Sequence, residues 1–352
     1  MLRRIRPGRR QIWGTLVASG LAVALVAAAV VALTRFAPGG PLHSTSTVAA
    51  TPTATSGVFP YATPMAGILP APTGAIACQS ATTHDYMTCA YTAPTNTTNT
   101  TNTTMAFYLC LPRGYNPKQR YPLVLLLHGA GESALAKNDA VQNRGLILDQ
   151  DYVNVWGAGV PSGGLSVQDR WPSFIVVPQV VSPSRWVNVP GTQGSYSLSP
   201  QPTASLAMAL TIVELVQRQY TNIDSARRYI SGISMGAYGV WDAIERWPSY
   251  FAAAAPVAGA GDPAQAGALV NLPVWSFHSS NDADVPQSAD RALIDAINAA
   301  GGHACLTIVP APSHAIWSQV YDLQNTPNNP LYPWLFAQRL GQPAPATPAC
   351  GA

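Results

Sequence analysis

The run Tyr229-Ile230-Ser231-Gly232-Ile233-Ser234-Met235-Gly236-Ala237-Tyr238-Gly239 constrains this chain more than any other stretch. An apolar, β-prone segment breaks into G-x-S-x-G and continues as Val240-Trp241-Asp242-Ala243-Ile244-Glu245, whose character is helical rather than alternating. The pattern predicts a strand, a sharp turn and a helix. Where strand and helix approach each other across such a turn, the residues two before and two after its centre must lack bulk, which Gly232 and Gly236 satisfy. Ser234 would then sit with its hydroxyl above the sheet edge. The backbone N–H of Met235 would lie at a helix N-terminus, placed to stabilise a developing oxyanion. In a chain with 28 glycines the bare motif arises readily by chance, so its surroundings decide its meaning.

Those surroundings alternate strands with helices from about Met105 onward, the signature of an α/β fold with a mostly parallel central sheet flanked by helices. Pro122 to Leu127 is a continuous apolar run suited to a strand buried on both faces. It ends in His128-Gly129-Ala130-Gly131-Glu132, a glycine-rich turn whose backbone N–H groups would point into a cleft. The N–H of Ala130 is the expected second oxyanion donor, while His128 and Glu132 are read as bracing the loop. Phe174 to Gln179 is the next strand, bordered by long loops over about 137–170 and 182–202, and Trp186 in the second is a candidate wall of a substrate pocket.

A helix over Leu206–Gln219 leads to the elbow strand, and Phe251–Val257 and Val274–His278 follow as further strands. The second runs into Ser279-Ser280-Asn281-Asp282-Ala283-Asp284-Val285-Pro286. An acid in a loop after a late strand is placed to orient a catalytic histidine, and by residue type Asp282 and Asp284 both qualify. A helix over Ser288–Ala300 and a strand over Cys305–Val309 bring the chain to Pro310-Ala311-Pro312-Ser313-His314-Ala315-Ile316-Trp317. His314 therefore falls on the same sheet edge as Ser234. His303 precedes its strand and faces the other edge, and His43 and His84 lie outside the domain. Ser, Asp and His, each after its own strand, make His314 the expected base.

The N-terminus reads differently. Arg3, Arg4, Arg6, Arg9 and Arg10 precede an uncharged stretch over residues 12–33, which as a helix would extend about 33 Å and cross a bilayer. An arginine excess before the span places the N-terminus in the cytoplasm and the rest outside. The expectation is a signal anchor at a cell membrane. A cleaved signal peptide, and hence secretion, is the alternative, and Arg9-Arg10-Gln11-Ile12 faintly resembles a twin-arginine export signal. Without those five arginines the formal charge of +3 becomes about −2, which leaves no basic face for nucleic acid. Charged residues make up only 10% of the chain, and with 32 prolines this composition suits a secreted or surface protein.

The expected organisation is residues 1–35 as basic segment and membrane anchor, 36–75 as a Pro/Thr/Ala-rich linker, 76–341 as a catalytic domain entered through a β-hairpin, and 342–352 as a tail. Five cysteines in the outward part permit disulfides, with Cys89–Cys110 and Cys305–Cys350 as reasonable pairings and no C-x-x-C spacing to suggest a metal or redox site. The tract from Asn96 to Thr104, three copies of Asn-Thr-Thr, is read as a low-complexity hairpin tip, although each copy is formally a glycosylation acceptor.

Taken together, these motifs resemble the α/β-hydrolase esterases related to polyhydroxybutyrate depolymerases, feruloyl esterases and prolyl-oligopeptidase-like bacterial hydrolases. The resemblance covers about Phe107 to Leu340 and rests on Tyr121-Pro122-Leu123-Val124 leading into His128–Glu132, Pro178-Gln179 followed by Trp186, and the Gly232–Trp241 elbow. The family's acid loop, H-G-x-x-D-x-x-V-P, aligns with His278–Pro286 and selects Asp282 over Asp284. Its G-H-x-x-W loop aligns with Ser313–Trp317. Ser279 and Ser313 depart from the family pattern, standing where glycine is usual. The resemblance implies a serine esterase with a Ser234–His314–Asp282 triad, acting on a small-molecule or polymeric ester without metal or organic cofactor. A peptidase using the same triad and a non-catalytic surface module on the same fold are the alternatives.

Overall fold

The computed structural model describes residues 69, 71–83, 85–94, 104–134, 145–157, 164–189 and 193–343. The expected membrane span over 12–33, most of the linker, nearly all of the Asn-Thr-Thr tract, most of the C-terminal tail and Cys350 lie outside the described residues. Among the described residues no helix is long and apolar enough to cross a membrane.

Nine strands form one sheet in the order β1-β2-β3-β5-β4-β6-β7-β8-β9. They are β1 (Ala75–Thr83), β2 (Tyr86–Thr92), β3 (Thr104–Cys110), β4 (Tyr121–Leu127), β5 (Phe174–Pro178), β6 (Ile223–Ile233), β7 (Ala253–Val257), β8 (Trp275–Ser279) and β9 (Cys305–Val309). From β5 to β9 every neighbouring pair is parallel, whereas β1, β2 and β3 form an antiparallel meander that joins β5 at one end. The helices are α1 (Gly145–Leu148), α2 (Asp151–Trp156), α3 (Ala204–Gln219), α4 (Met235–Arg246), α5 (Gln287–Ala299), α6 (Trp317–Val320) and α7 (Leu331–Ala337).

Strand β4 shows why the chain folds in three layers. All seven of its residues are buried. Leu123, Leu125 and Leu127 share a cluster with Leu210 and Val213 of α3, Trp241 and Ile244 of α4, and Leu293 of α5. Val124 and Leu126 point the other way, among Tyr152 and Trp156 of α2, Val320 of α6 and Tyr332 of α7. The two-residue period of a strand thus divides one apolar run between two cores, and each fully buried Leu or Val contributes about 1.5–3 kcal/mol of transfer free energy.

The meander corrects one pairing. Cys78 and Cys89 stand opposite each other in the β1–β2 ladder and are disulfide-bonded. Cys110 is a buried free thiol. In the β2–β3 ladder Cys89 faces Phe107 while Cys110 faces Tyr86, an offset of three positions that puts the two sulfurs on opposite faces. Cys305 is also disulfide-bonded.

Candidate active site

At the C-terminal end of β6 the backbone of Ser234 adopts φ 51° and ψ −119°, a conformation costly for a residue with a side chain. Its surroundings hold it there. The Ser234 N–H donates to the carbonyl of Val257 at 2.9 Å, and the Ser234 carbonyl accepts from the N–H groups of Ala237 at 2.9 Å and Tyr238 at 3.2 Å. A Cβ on Gly236 would lie 2.1 Å from the Leu127 carbonyl oxygen, and one on Gly232 would lie 2.8 Å from the same atom. Neither position accepts a side chain, because the turn is pressed against the end of β4.

Ser234 Oγ lies 2.7 Å from Nε2 of His314, and Nδ1 of His314 lies 2.6 Å from Oδ2 of Asp282. Burial pushes the Asp282 carboxyl up, but hydrogen bonds from His278, His314 and the Val285 N–H outweigh it and hold the group well below the usual carboxylate range. An ionised Asp282 offers only acceptors, so His314 carries its proton on Nδ1 and its Nε2 accepts the Ser234 hydroxyl. The other carboxylate oxygen, Oδ1, accepts the N–H groups of Asp284 at 2.9 Å and Val285 at 2.8 Å. Asp284, the other acid in the loop, is exposed and serves Asp282 through its backbone. The Trp317 ring meets the His314 imidazole edge-on at 5.6 Å.

The loop after β4 supplies the facing wall. His128 is completely buried, accepts the Val180 N–H on Nε2 at 3.0 Å and donates from Nδ1 to the Gly129 carbonyl at 2.6 Å. Burial lowers its pKa to about 4, so the ring is neutral at physiological pH and braces the loop in one tautomer. Glu132 is also buried, and its carboxyl is raised by that burial.

Trp186, expected as a pocket wall, is fully buried behind this loop: its indole N–H donates to the His128 carbonyl at 3.0 Å and its ring packs on the His128 imidazole. Its size and its N–H are used to fix His128. Its neighbours Arg185, Val187 and Val189 line the cavity instead, an open cleft of about 210 Å³ bounded also by Ala130, Ser234, Met235, Tyr238, Asp284 and Val285. Met235 is the first residue of α4, where a backbone N–H has no acceptor within its own helix, and it shares this cleft with Ala130.

Tyr238 and Val285 also line the cleft, although no sequence motif marks them as cleft residues. Tyr238 stands four positions after Ser234 on one helix face, and that spacing was the available signal. Arg185 carried none beyond its place beside Trp186. Ser279, where glycine is usual in the resembled family, is buried and donates from Oγ to the Ala311 carbonyl at 3.1 Å, tying the acid loop to the loop that carries His314. Among the described residues no group of three or more His, Cys, Asp or Glu side chains is placed to hold a metal ion.

No curated protein matches the chain. Among solved structures, a thermostable esterase is 28% identical, with 72% of this chain and 63% of that one covered at a TM-score of 0.57. The chain thus spans just under two thirds of that esterase. An acylaminoacyl peptidase from Pyrococcus horikoshii is 14% identical, covering 69% of this chain and 41% of that one at a TM-score of 0.48. The feruloyl esterase module from Clostridium thermocellum, solved with sinapinate, is 17% identical, covering 71% of this chain and 86% of that one at a TM-score of 0.44. Residues 98–346, well over half the chain and including every residue of the site just described, match the Esterase family. The chain, with its three-layer fold and its Ser234-centred cleft, belongs to the Esterase family.

Proposed function

We propose that the protein is a serine esterase that hydrolyses carboxylic esters through an acyl-enzyme intermediate. The observation that carries this reading is the unbroken hydrogen-bonded row from Ser234 Oγ through His314 to Asp282, opening onto a cleft shared by Ala130 and Met235. Ser234 attacks the ester carbonyl as its proton passes to Nε2 of His314. Asp282 holds the imidazole in the productive tautomer and stabilises the cation that forms. The carbonyl oxygen, negative in the tetrahedral intermediate, accepts the N–H groups of Ala130 and Met235. His314 returns its proton to the leaving alcohol, the ester C–O bond breaks, and water activated by the same imidazole cleaves the acyl-serine.

The cleft walls of Val187, Val189 and Val285 around about 210 Å³ favour a short acyl group. Hydrolysis of p-nitrophenyl esters from acetate to laurate by a protein starting at Ala75, beside its Ser234→Ala variant, tests this. Short esters should be turned over fastest, with activity lost in the variant by roughly three orders of magnitude or more. A folded protein that neither hydrolyses esters nor reacts with a serine-directed phosphonate would instead be a non-catalytic module. Turnover of the matching amides above the esters would make it a peptidase.

We also propose, from the apolar stretch over residues 12–33 behind five arginines, that the enzyme is held at a membrane with its catalytic domain outside. The full chain should remain in the membrane fraction after alkaline carbonate. Release by carbonate would exclude an integral anchor.

A further inference from the structure

A second histidine stands directly behind the acid of the triad. His278 on β8 is fully buried, with Nε2 3.1 Å from the Val285 carbonyl and 3.3 Å from Asp282 Oδ2, the oxygen that also receives His314. Its Nδ1 lies 3.1 Å from Oδ2 of Asp290 on α5, which is buried too and accepts the Ser276 hydroxyl at 2.6 Å. Every partner of Nε2 is an acceptor, so that nitrogen carries a proton. Nδ1 meets a carboxylate oxygen, and a second proton lies between them. Six side chains therefore form one row: Ser234, His314, Asp282, His278, Asp290 and Ser276.

We propose that His278, held by Asp290, is a positioning residue for the catalytic acid: as a buried cation donating Nε2–H to Asp282, it weakens that carboxylate's hold on a proton at His314 and keeps the base free at lower pH. This rests on the esterase reading above. Burial alone would discharge the ring, but the hydrogen bonds to Asp282 and Asp290 outweigh it and lift its pKa to about 9. Asp282 faces the ring from the acid loop, Asp290 faces it from α5, and His314 lies beyond Asp282. From α4, Tyr238 and Trp241 face the two carboxylates, and the Tyr238 hydroxyl is neutral and committed to the Gly194 carbonyl. Burial raises the Asp290 carboxyl against the hydrogen bonds from His278 and Ser276 that favour its ionised form. Among the described residues of these elements no other cation reaches the pair, and on this proposal the charge that balances the two carboxylates belongs to His278.

His278→Gln keeps an N–H donor near Asp282 and removes the charge. In this variant the acid limb of the pH profile of kcat/KM should move up by about one pH unit, the shift expected from losing a charge a few ångströms away. Activity on the plateau should fall by less than about tenfold, since the triad itself is intact. A folded variant that reacts with a phosphonate at Ser234 and keeps the wild-type acid limb would overturn the proposal. Imidazole 15N chemical shifts of His278 in the otherwise unaltered protein decide the matter even where the variant does not fold. Both nitrogens protonated at pH 7 is the expected result, and a neutral ring refutes the proposal. Failure of the esterase reading looks different, because the wild type itself would then show neither ester turnover nor labelling.

Discussion

At the scale of single residues, two acids two positions apart in one loop have opposite fates. Asp282 accepts from His314 on one oxygen and from the N–H groups of Asp284 and Val285 on the other, whereas Asp284 is exposed at the cleft rim. Asp282→Asn replaces an acceptor with a donor facing His314 Nδ1, which favours the wrong tautomer. We expect kcat to fall by roughly 10³–10⁴ with KM little changed, as for loss of the equivalent group in other triads. Asp284→Asn should stay within a few-fold of wild type, because it contributes its backbone rather than its carboxylate to Asp282; steady-state kinetics of the two variants check both outcomes. Residue type and position alone left these acids equivalent. The alignment with H-G-x-x-D-x-x-V-P selected Asp282, and the physical reason lies in the turn, where its carboxylate accepts the N–H groups two and three positions on. His278, Ser234 and His314 were all visible as letters, but the row that joins them crosses four elements and becomes legible only in three dimensions.

At the scale of elements, the site depends on the fit between the end of β4 and the turn from β6 into α4. Gly236 lies against the Leu127 carbonyl so closely that a Cβ would come within 2.1 Å of it, and the obstruction is backbone rather than a yielding side chain. Gly236→Ala should therefore destabilise the protein by about 3 kcal/mol or more and abolish ester hydrolysis in whatever folded fraction remains, as read by denaturant unfolding and kinetics. The β1–β2 hairpin is the opposite case. It lies at the far end of the sheet from β6, β8 and β9, and its Cys78–Cys89 bond closes a short loop. Replacing both cysteines with serine should cost about 2–3 kcal/mol of stability and leave kcat/KM unchanged. The strands of the parallel sheet were legible because burial on both faces demands continuous apolar runs, and the long helices because their apolar residues recur at helical spacing. The hairpin's register was not, since Thr, Ala and Ser alternate weakly there and several pairings of the cysteines satisfy the same letters. Trp186 is ambiguous in the sequence for a related reason: a large aromatic beside a cleft serves equally as wall or buttress, and its burial with a hydrogen bond to His128 is what distinguishes them.

At the scale of the whole molecule, two buried histidines act on stability in opposite directions with pH. His128 is held neutral, with a folded pKa of about 4 against about 6.5 in an unfolded chain. The unfolded state takes up the proton first as the solution is acidified. Its contribution to stability is therefore fully present above pH 6.5 and lost as the pH falls toward 4. His278 is held as a cation, with a folded pKa of about 9. Its contribution is fully present below pH 6.5 and lost as the pH rises through 9, because the unfolded state releases the proton first. Each shift corresponds to about 3 kcal/mol between the two protonation states, enough to matter against a total stability of about 5–15 kcal/mol. A thermal-unfolding series from pH 4 to pH 9.5 should therefore show a maximum near pH 6.5 with a decline on each side. His128→Asn should flatten the acid side and leave the alkaline side steep, while His278→Gln should do the reverse. If each variant kept both slopes, neither histidine would be the group that titrates, and the neutral ring at His128 and the cation at His278 would both have to be given up. One ring braces the loop after β4 and the other stands behind Asp282, so acid below pH 6.5 and alkali above it withdraw support from opposite walls of the cleft.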